Sequence, residues 1–284
     1  MLALRRPCDV QLRFSFHLEQ LSKIDEVDLV LESPDLYQIE INGQKISFDD
    51  KGWFCDKTFR KCAIRNLLNE GENTVVLTCH FFQQKHVYEI LFGKNVHEAE
   101  LNKLTFDTEL ESCYLIGNFA TDYDGNITYG GRRVIFTDGT FRIMPPKQSI
   151  DITDITSDGY WFFAGKMRLR QVTHICKEPD KRYILMFKKI YAAMALVSVN
   201  GKAAGHLAFS PFRLDITDYL SDGENEIEIQ LFSGNRNLLG PHHRSIGESY
   251  LVSPDTFTDK PDWFNGAGPY WNDGYCFVKF GVGL

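Results

Sequence analysis

The feature that most constrains this chain of 284 residues is that part of it is written twice. Ile64-Arg65-Asn66-Leu67-Leu68-Asn69-Glu70-Gly71-Glu72-Asn73-Thr74-Val75-Val76-Leu77 reads again as Ile216-Thr217-Asp218-Tyr219-Leu220-Ser221-Asp222-Gly223-Glu224-Asn225-Glu226-Ile227-Glu228-Ile229, with five of the 14 positions identical. Upstream of each lies an apolar-alternating stretch ending in Asn-Gly: Ile39-Glu40-Ile41-Asn42-Gly43 and Val197-Ser198-Val199-Asn200-Gly201. The Gly-Glu-Asn triplets stand 152 residues apart (223 − 71) and the Asn-Gly pairs 158 apart (200 − 42). The same signals, in the same order and at nearly the same spacing, predict two related domains. We place them at 1–106 and 107–284. Strand pattern begins almost at once, so the first reads as N-terminally incomplete.

Each segment reads as strands joined by tight turns. Tyr37, Ile39 and Ile41 alternate with Gln38 and Glu40, and Ile227, Ile229 and Leu231 alternate with Glu226, Glu228 and Gln230. That period of two is the mark of a half-buried strand. Asn-Gly tolerates the two positive φ angles of a type I′ hairpin turn. Further strands are predicted at 11–16, 27–31, 113–116, 133–136, 166–172, 183–187 and 275–280. A short helix is predicted at 95–104, while 188–195 fits helix or strand and 216–220 fits a helical turn or extended chain. Many short strands punctuated by Gly, Asp and Asn describe an all-β protein of two tandem jelly-roll sandwiches.

Composition removes several functions. A net charge of −7, with no Lys/Arg cluster, argues against a nucleic-acid partner, which needs a basic surface. The longest apolar run, 190–199, is too short to cross a bilayer, so no membrane partner is expected. The seven cysteines are scattered with no CxxC pair, which predicts no zinc site and reduced thiols packed as small apolar groups. That usage, with no apolar signal-peptide core after Met1, predicts a cytoplasmic location.

From 160 to 232 the chain carries an aromatic stretch with arginines (Trp161 to Arg170), then Val199-Asn200-Gly201, then a small-residue loop from Ala203 to Phe209. Pro211-Phe212, Asp215-Ile216-Thr217 with Leu220, and Gly223-Glu224-Asn225 follow. In order and spacing this series resembles the sugar-binding, galactose-binding-like β-sandwich domain of glycoside hydrolase family 2 and related bacterial glycosidases. Residues 27–79 match more loosely, with Phe59 in the place of Phe212 and Ala63 in that of Asp215. Asn237-Leu238-Leu239-Gly240-Pro241-His242-His243 is similar to a loop that follows such domains. The resemblance implies an accessory module. In those enzymes the catalytic acids sit on a separate (β/α)8 barrel, which needs ~250 residues that this chain does not offer.

Candidate chemistry is correspondingly thin. Glycosidases need two carboxylates about the scissile bond. Asp50 and Asp56, Glu109 and Glu111, Asp122 and Asp124, Asp151 and Asp154, and Glu248 are all present, but no spacing selects a pair. They read as turn and capping residues, and no catalytic residue is assigned. His242, His243 and Glu248 form the one cluster of catalytic flavour, open to two readings: a structural loop, or part of a pocket. Adjacent histidines on extended chain face opposite ways and seldom share a metal, so no metal site is expected. The platforms for a sugar ring are Trp263, Tyr270 and Trp271, with Asn265 beside them, while Trp53 and Trp161 are expected in the core. Asp122-Tyr123-Asp124-Gly125-Asn126 reads as a plain turn, with a structural Ca²⁺ as its alternative; no other cofactor is expected. The expected function is a non-catalytic carbohydrate-binding or scaffolding module of a bacterial glycoside hydrolase, partnered by carbohydrate and a catalytic domain. The alternatives are an active site built around His242, His243 and Glu248, or a purely structural or protein-interaction module.

Overall fold

Apolar side chains at every second position mark stretches such as 37–41 and 226–231, and strands form there. The computed structural model describes residues 1–131, 134–240, 242–243 and 272–283, and among them it is built of short strands with three short helices. The protein is all-β. Contacts divide it into two units, Met1–Asp122 with Phe141–Pro146, and Tyr123–Thr140 with Lys147–Leu284.

The first unit runs through β1 (Cys8–Leu18), β2 (Val27–Glu32), β3 (Gln38–Ile41), β4 (Gln44–Ile46), β5 (Asp50–Phe54), β6 (Asp56–Ala63) and β7 (Gly71–Phe81). Helices α1 (Lys85–Phe92) and α2 (Glu98–Asn102) precede β8 (Tyr114–Gly117) and β9 (Ala120–Tyr123). After β10 (Ile127–Tyr129) and β11 (Val134–Thr137), which belong to the second unit, β12 (Phe141–Met144) returns to the first. One sheet has the order β4-β3-β7-β1-β12-β9 and the other β5-β6-β2-β8. Leu18, Ile41 and Leu77 from one sheet and Leu29 and Cys62 from the other bury into a single apolar cluster. Because β8 pairs with β2, this unit extends past the boundary expected at residue 106. Helix α2 lies inside the helix expected at 95–104, whereas α1, burying Val87 and Tyr88, was not anticipated. Its eight residues span barely two turns, too few for a 3.6-residue period to stand out.

The second unit contains β13 (Lys166–Ile175), β14 (Ile184–Met186), β15 (Lys189–Tyr191), β16 (Met194–Val199), β17 (Lys202–Leu207), β18 (Arg213–Asp215) and β19 (Gly223–Phe232). Helix α3 (Arg236–Leu239), β20 (Tyr275–Val278) and β21 (Gly281–Gly283) complete it. The largest of its sheets has the order β13-β19-β16-β17; β14 pairs with β18, β15 with β21, and β11 lies between β10 and β20. The ambiguous stretch 188–195 resolves as β15 and the start of β16, with Ile190 and Ala195 buried. The supposed small-residue loop from Ala203 to Phe209 is instead strand β17 as far as Leu207. Small residues permit a strand as readily as a loop, and pairing with β16 decides it.

Both units are fastened by one arrangement of asparagines. In the first, Asn42 and Gly43 turn β3 into β4 with φ of 50° and 80°; in the second, Asn200 and Gly201 turn β16 into β17 with 51° and 74°. Two positive φ angles are what a type I′ turn demands. The Asn42 amide nitrogen donates to the Leu67 carbonyl (2.9 Å) and to Asn73 Oδ1 (2.8 Å), while its oxygen accepts from the Thr74 amide (2.8 Å). Asn200 makes the matching bonds to Tyr219 (3.0 Å), Asn225 (2.9 Å) and Glu226 (3.0 Å). Asn73 in turn donates to the carbonyls of Asn69 and Gly71, and Asn225 to those of Ser221 and Gly223. Both inner asparagines are 1% exposed, so each bond replaces one that water can no longer make. Residues 65–67 and 217–219 are single 3-10 turns, which settles the stretch 216–220. Sheet order agrees as well: β4-β3-β7-β1 matches β17-β16-β19-β13 strand for strand.

Candidate functional site

His242 and His243 follow α3, and a ring nitrogen of each lies within hydrogen-bond reach of backbone carbonyls. His242 Nε2 lies 2.8 Å from the Asn237 carbonyl, its ring stands 5.9 Å from that of Phe162 and 5.4 Å from that of Phe277, and burial lowers its pKa. His243 Nδ1 faces the carbonyls of Asn272 (3.1 Å) and Gly274 (3.0 Å). Asn237, itself buried, grips β20 in strand fashion: its Nδ2 donates to the Val278 carbonyl and its Oδ1 accepts from the Val278 amide, both at 2.8 Å. Arg236 adds a bond to the Cys276 carbonyl at 3.0 Å. Together, α3 and the two histidines serve as a clip holding β20. Glu248, the third member of the expected cluster, lies outside the described residues.

The aromatic platform residues Trp263, Tyr270 and Trp271, with Asn265, also lie outside the described residues. Of the two tryptophans expected in the core, Trp161 is fully buried, with its ring 5.1 Å from that of Phe277. Trp53 departs from the expectation. It sits on β5, at the edge of its sheet, with half its surface exposed, because the register of β5 against β6 breaks on either side of it.

Several candidate carboxylates are occupied locally. Asp50 accepts from Arg60 Nε (2.8 Å), and that hydrogen bond holds its pKa below the ordinary carboxylate value. Asp56 takes the Thr58 amide and hydroxyl at 2.9 Å, and Asp151 takes those of Thr153. Asp154 bonds Ser157 at 2.9 Å and stands 3.6 Å from Lys279. In the stretch from Asp122 to Asn126, Asp122 faces Arg142 at 2.8 Å and Asp124 accepts from the Thr140 amide and hydroxyl. Gly125 and Gly139 meet there so closely that a Cβ on either would come within 2.2–2.3 Å of the other's backbone. Among the described residues, no group of three or more His, Cys, Asp or Glu is placed to hold a metal.

A further feature that the sequence does not announce is a hollow of about 420 Å³ on the outer face of β16, β17 and β19. Outward-facing Leu196 and Ser198 of β16, Ala203 and His206 of β17, and Glu228 and Gln230 of β19 surround it. The register slips by one residue between Val197 and Ser198, against Gly205 and Ala203, and such a bulge bends a sheet. Gly205 lets β17 pack tightly, since a Cβ there would meet Leu214 Cδ1 at 2.8 Å. The sequence carries there only a run of small residues, Ala203-Ala204-Gly205, one residue past the hairpin turn. Glu228 is held from its far side by Arg168 Nε (3.4 Å) and Arg170 Nη2 (3.1 Å).

The chain matches no protein-family model and no curated protein sequence. Among solved structures it is similar to a rhamnosidase from Novosphingobium sp. PP1Y, at 15% identity and a TM-score of 0.26, covering 96% of this chain and 22% of that one. An α-L-rhamnosidase from Streptomyces avermitilis gives 12% identity and a TM-score of 0.28, covering 81% of this chain and 22% of the enzyme. A β-D-mannosidase from Dictyoglomus thermophilum gives 15% and 0.25, covering 80% and 24%. The chain therefore spans about a fifth to a quarter of each of these glycosidases. A likeness of this degree assigns no chemistry. No helix among the described residues is long and apolar enough to cross a membrane.

Proposed function

We propose that this chain is a non-catalytic pair of galactose-binding-like, jelly-roll β-sandwiches related by an internal repeat. Its role is to bind carbohydrate for, or to scaffold, a larger bacterial glycoside hydrolase in the cytoplasm. The observation that carries the reading is what the recognised motifs do. Asn200, Asn225 and the 217–219 turn, the residues by which the second segment resembles the family 2 sugar-binding domain, close on one another as a hydrogen-bonded lock. That they bond to one another and to backbone supports reading the resemblance as that of a scaffold. The clip formed by His242 and His243 points the same way, since both imidazoles are engaged with backbone carbonyls. Carbohydrate is the partner that the resemblance implies, with a glycosidase catalytic domain beside it.

The test is a glycan array and a panel of chromogenic glycosides on one preparation of the full chain. Binding without turnover is the expected result. Turnover that survives repurification and disappears in Glu248→Ala would replace this reading with a catalytic one. Absence of both would remove the carbohydrate from it.

A further inference from the structure

The hollow on the second unit has a built-in control. By register, Ser198 and Ala203 of the second unit correspond to Glu40 and Lys45 of the first, which face each other on β3 and β4; Glu228 corresponds to Val76, and Leu196 to Gln38. In the first unit the corresponding β3–β4 hairpin keeps its register and carries two long charged side chains there. In the second, the same place holds two small ones, with a bulge beneath.

The chemistry of the lining narrows the occupant. Among the described residues, the side chains of Ser198, His206 and Gln230 have no hydrogen-bond partner within the protein, so donors and acceptors converge uncommitted on one depression. Charge is already balanced: Arg170 pairs with Glu226 and Glu228, and Arg168 with Glu228, which sets two cations against two anions and gives neither a phosphate nor an amine a free counter-charge. Leu196, 39% exposed, lends the lining an aliphatic surface. The volume falls within the range of small-molecule sites, which pair an apolar wall with a few placed polar groups.

We propose that this hollow binds one neutral hexose unit of a glycan, its apolar ring face on Leu196 and its hydroxyls on Ser198, His206, Gln230 and Glu228. The two Arg side chains fix the Glu228 carboxylate in advance, so binding need not order it. This rests on the carbohydrate reading above and gives it a location that the sequence did not suggest.

The probes are methyl glycosides of galactose, mannose, glucose and rhamnose, titrated to about ten times the millimolar affinity expected of a single sugar. The readout is the ring signals of the eight histidines. His206 should shift with the preferred sugar. Ala203→Arg, at an exposed edge-strand position, should weaken binding at least about tenfold with the melting temperature unchanged. Gln230→Ala should weaken it without filling the hollow, which keeps the test open if the arginine variant folds poorly. Lys45→Ala on the first unit should leave affinity as it was. If the full chain binds a sugar and Ala203→Arg and Gln230→Ala both bind it equally well, the hollow is not the site while the accessory reading stands. If no sugar binds, the hollow and the carbohydrate part of that reading fall together, and only the scaffold role remains.

Discussion

The two units share their lock and differ in what surrounds it. Asn42 with Asn73, and Asn200 with Asn225, make the same bonds to the same backbone positions. Even the acidic residue immediately before the shared glycine is reused: Glu70 accepts from the amides of Gln20 and Leu21, and Asp222 from that of Lys177. Elsewhere the units part. The far edge of β1 carries β12, in parallel register at His17 and Leu18, whereas among the described residues β13 pairs only with β19. One hairpin face carries Glu40 and Lys45, the other is hollowed by Ser198 and Ala203. Groups that satisfy buried backbone cannot vary without leaving orphaned donors, while outward faces can, so the retained residues report fold and the changed ones are where function should be sought.

The largest effect should come from the lock. Asn73→Ala and Asn225→Ala each remove a buried side chain that satisfies several backbone groups, at about 3 kcal/mol apiece. Amide hydrogen exchange should show lost protection in β3 and β7 for the first substitution, and in β16 and β19 for the second. A loss of less than about 1 kcal/mol in either would mean that water replaces the side chain and the arrangement is not structural. Asn42→Gly and Asn200→Gly should come next, at about 1–2 kcal/mol. Glycine keeps the positive φ near 50° at no steric cost, so the loss isolates the side-chain bonds. In a double-mutant cycle, Asn200→Gly with Asn225→Ala should cost less than the sum, because the two share a bond of 2.9 Å.

Sequence made the framework legible because its signals are local. Ile39, Ile41, Ile227 and Ile229 declare their buried face by period two, and Asn-Gly declares its turn by φ alone. The strands expected at 11–16, 27–31, 166–172 and 183–187 fall on β1, β2, β13 and β14 for the same reason. What stayed hidden depends on residues distant in sequence. The Asn237 clip needs Val278, 41 positions on, and the hollow needs a slip of register between β16 and β17 that no alternation pattern announces. Trp53 was misplaced because aromatic size argues for burial while an irregular edge strand argues against it, and only the pairing of β5 with β6 decides.

The smallest expected effect concerns acid. Asp215 stands where the first unit has Ala63, and it accepts from the Thr217 hydroxyl at 2.6 Å and the Thr217 amide at 3.0 Å, with Arg182 alongside. The Thr217 bonds first, and Arg182 after them, hold its carboxyl down to about 2 from an ordinary 3.8. A depressed folded-state pKa contributes stability that is present above about 4 and is lost as pH falls toward 2. Asp215→Ala should therefore lower the denaturation midpoint of the second unit at neutral pH, and the gap from the wild type should close between about pH 4 and pH 2. The carboxylate is partly exposed, so the gap is small, and salt should narrow it further. Urea titrations at a series of pH values read this directly. A gap that stays constant from pH 6 to pH 2 would show that Asp215 acts through the shape of its turn and not through its charge, and the two units would then differ less here than their sequences imply.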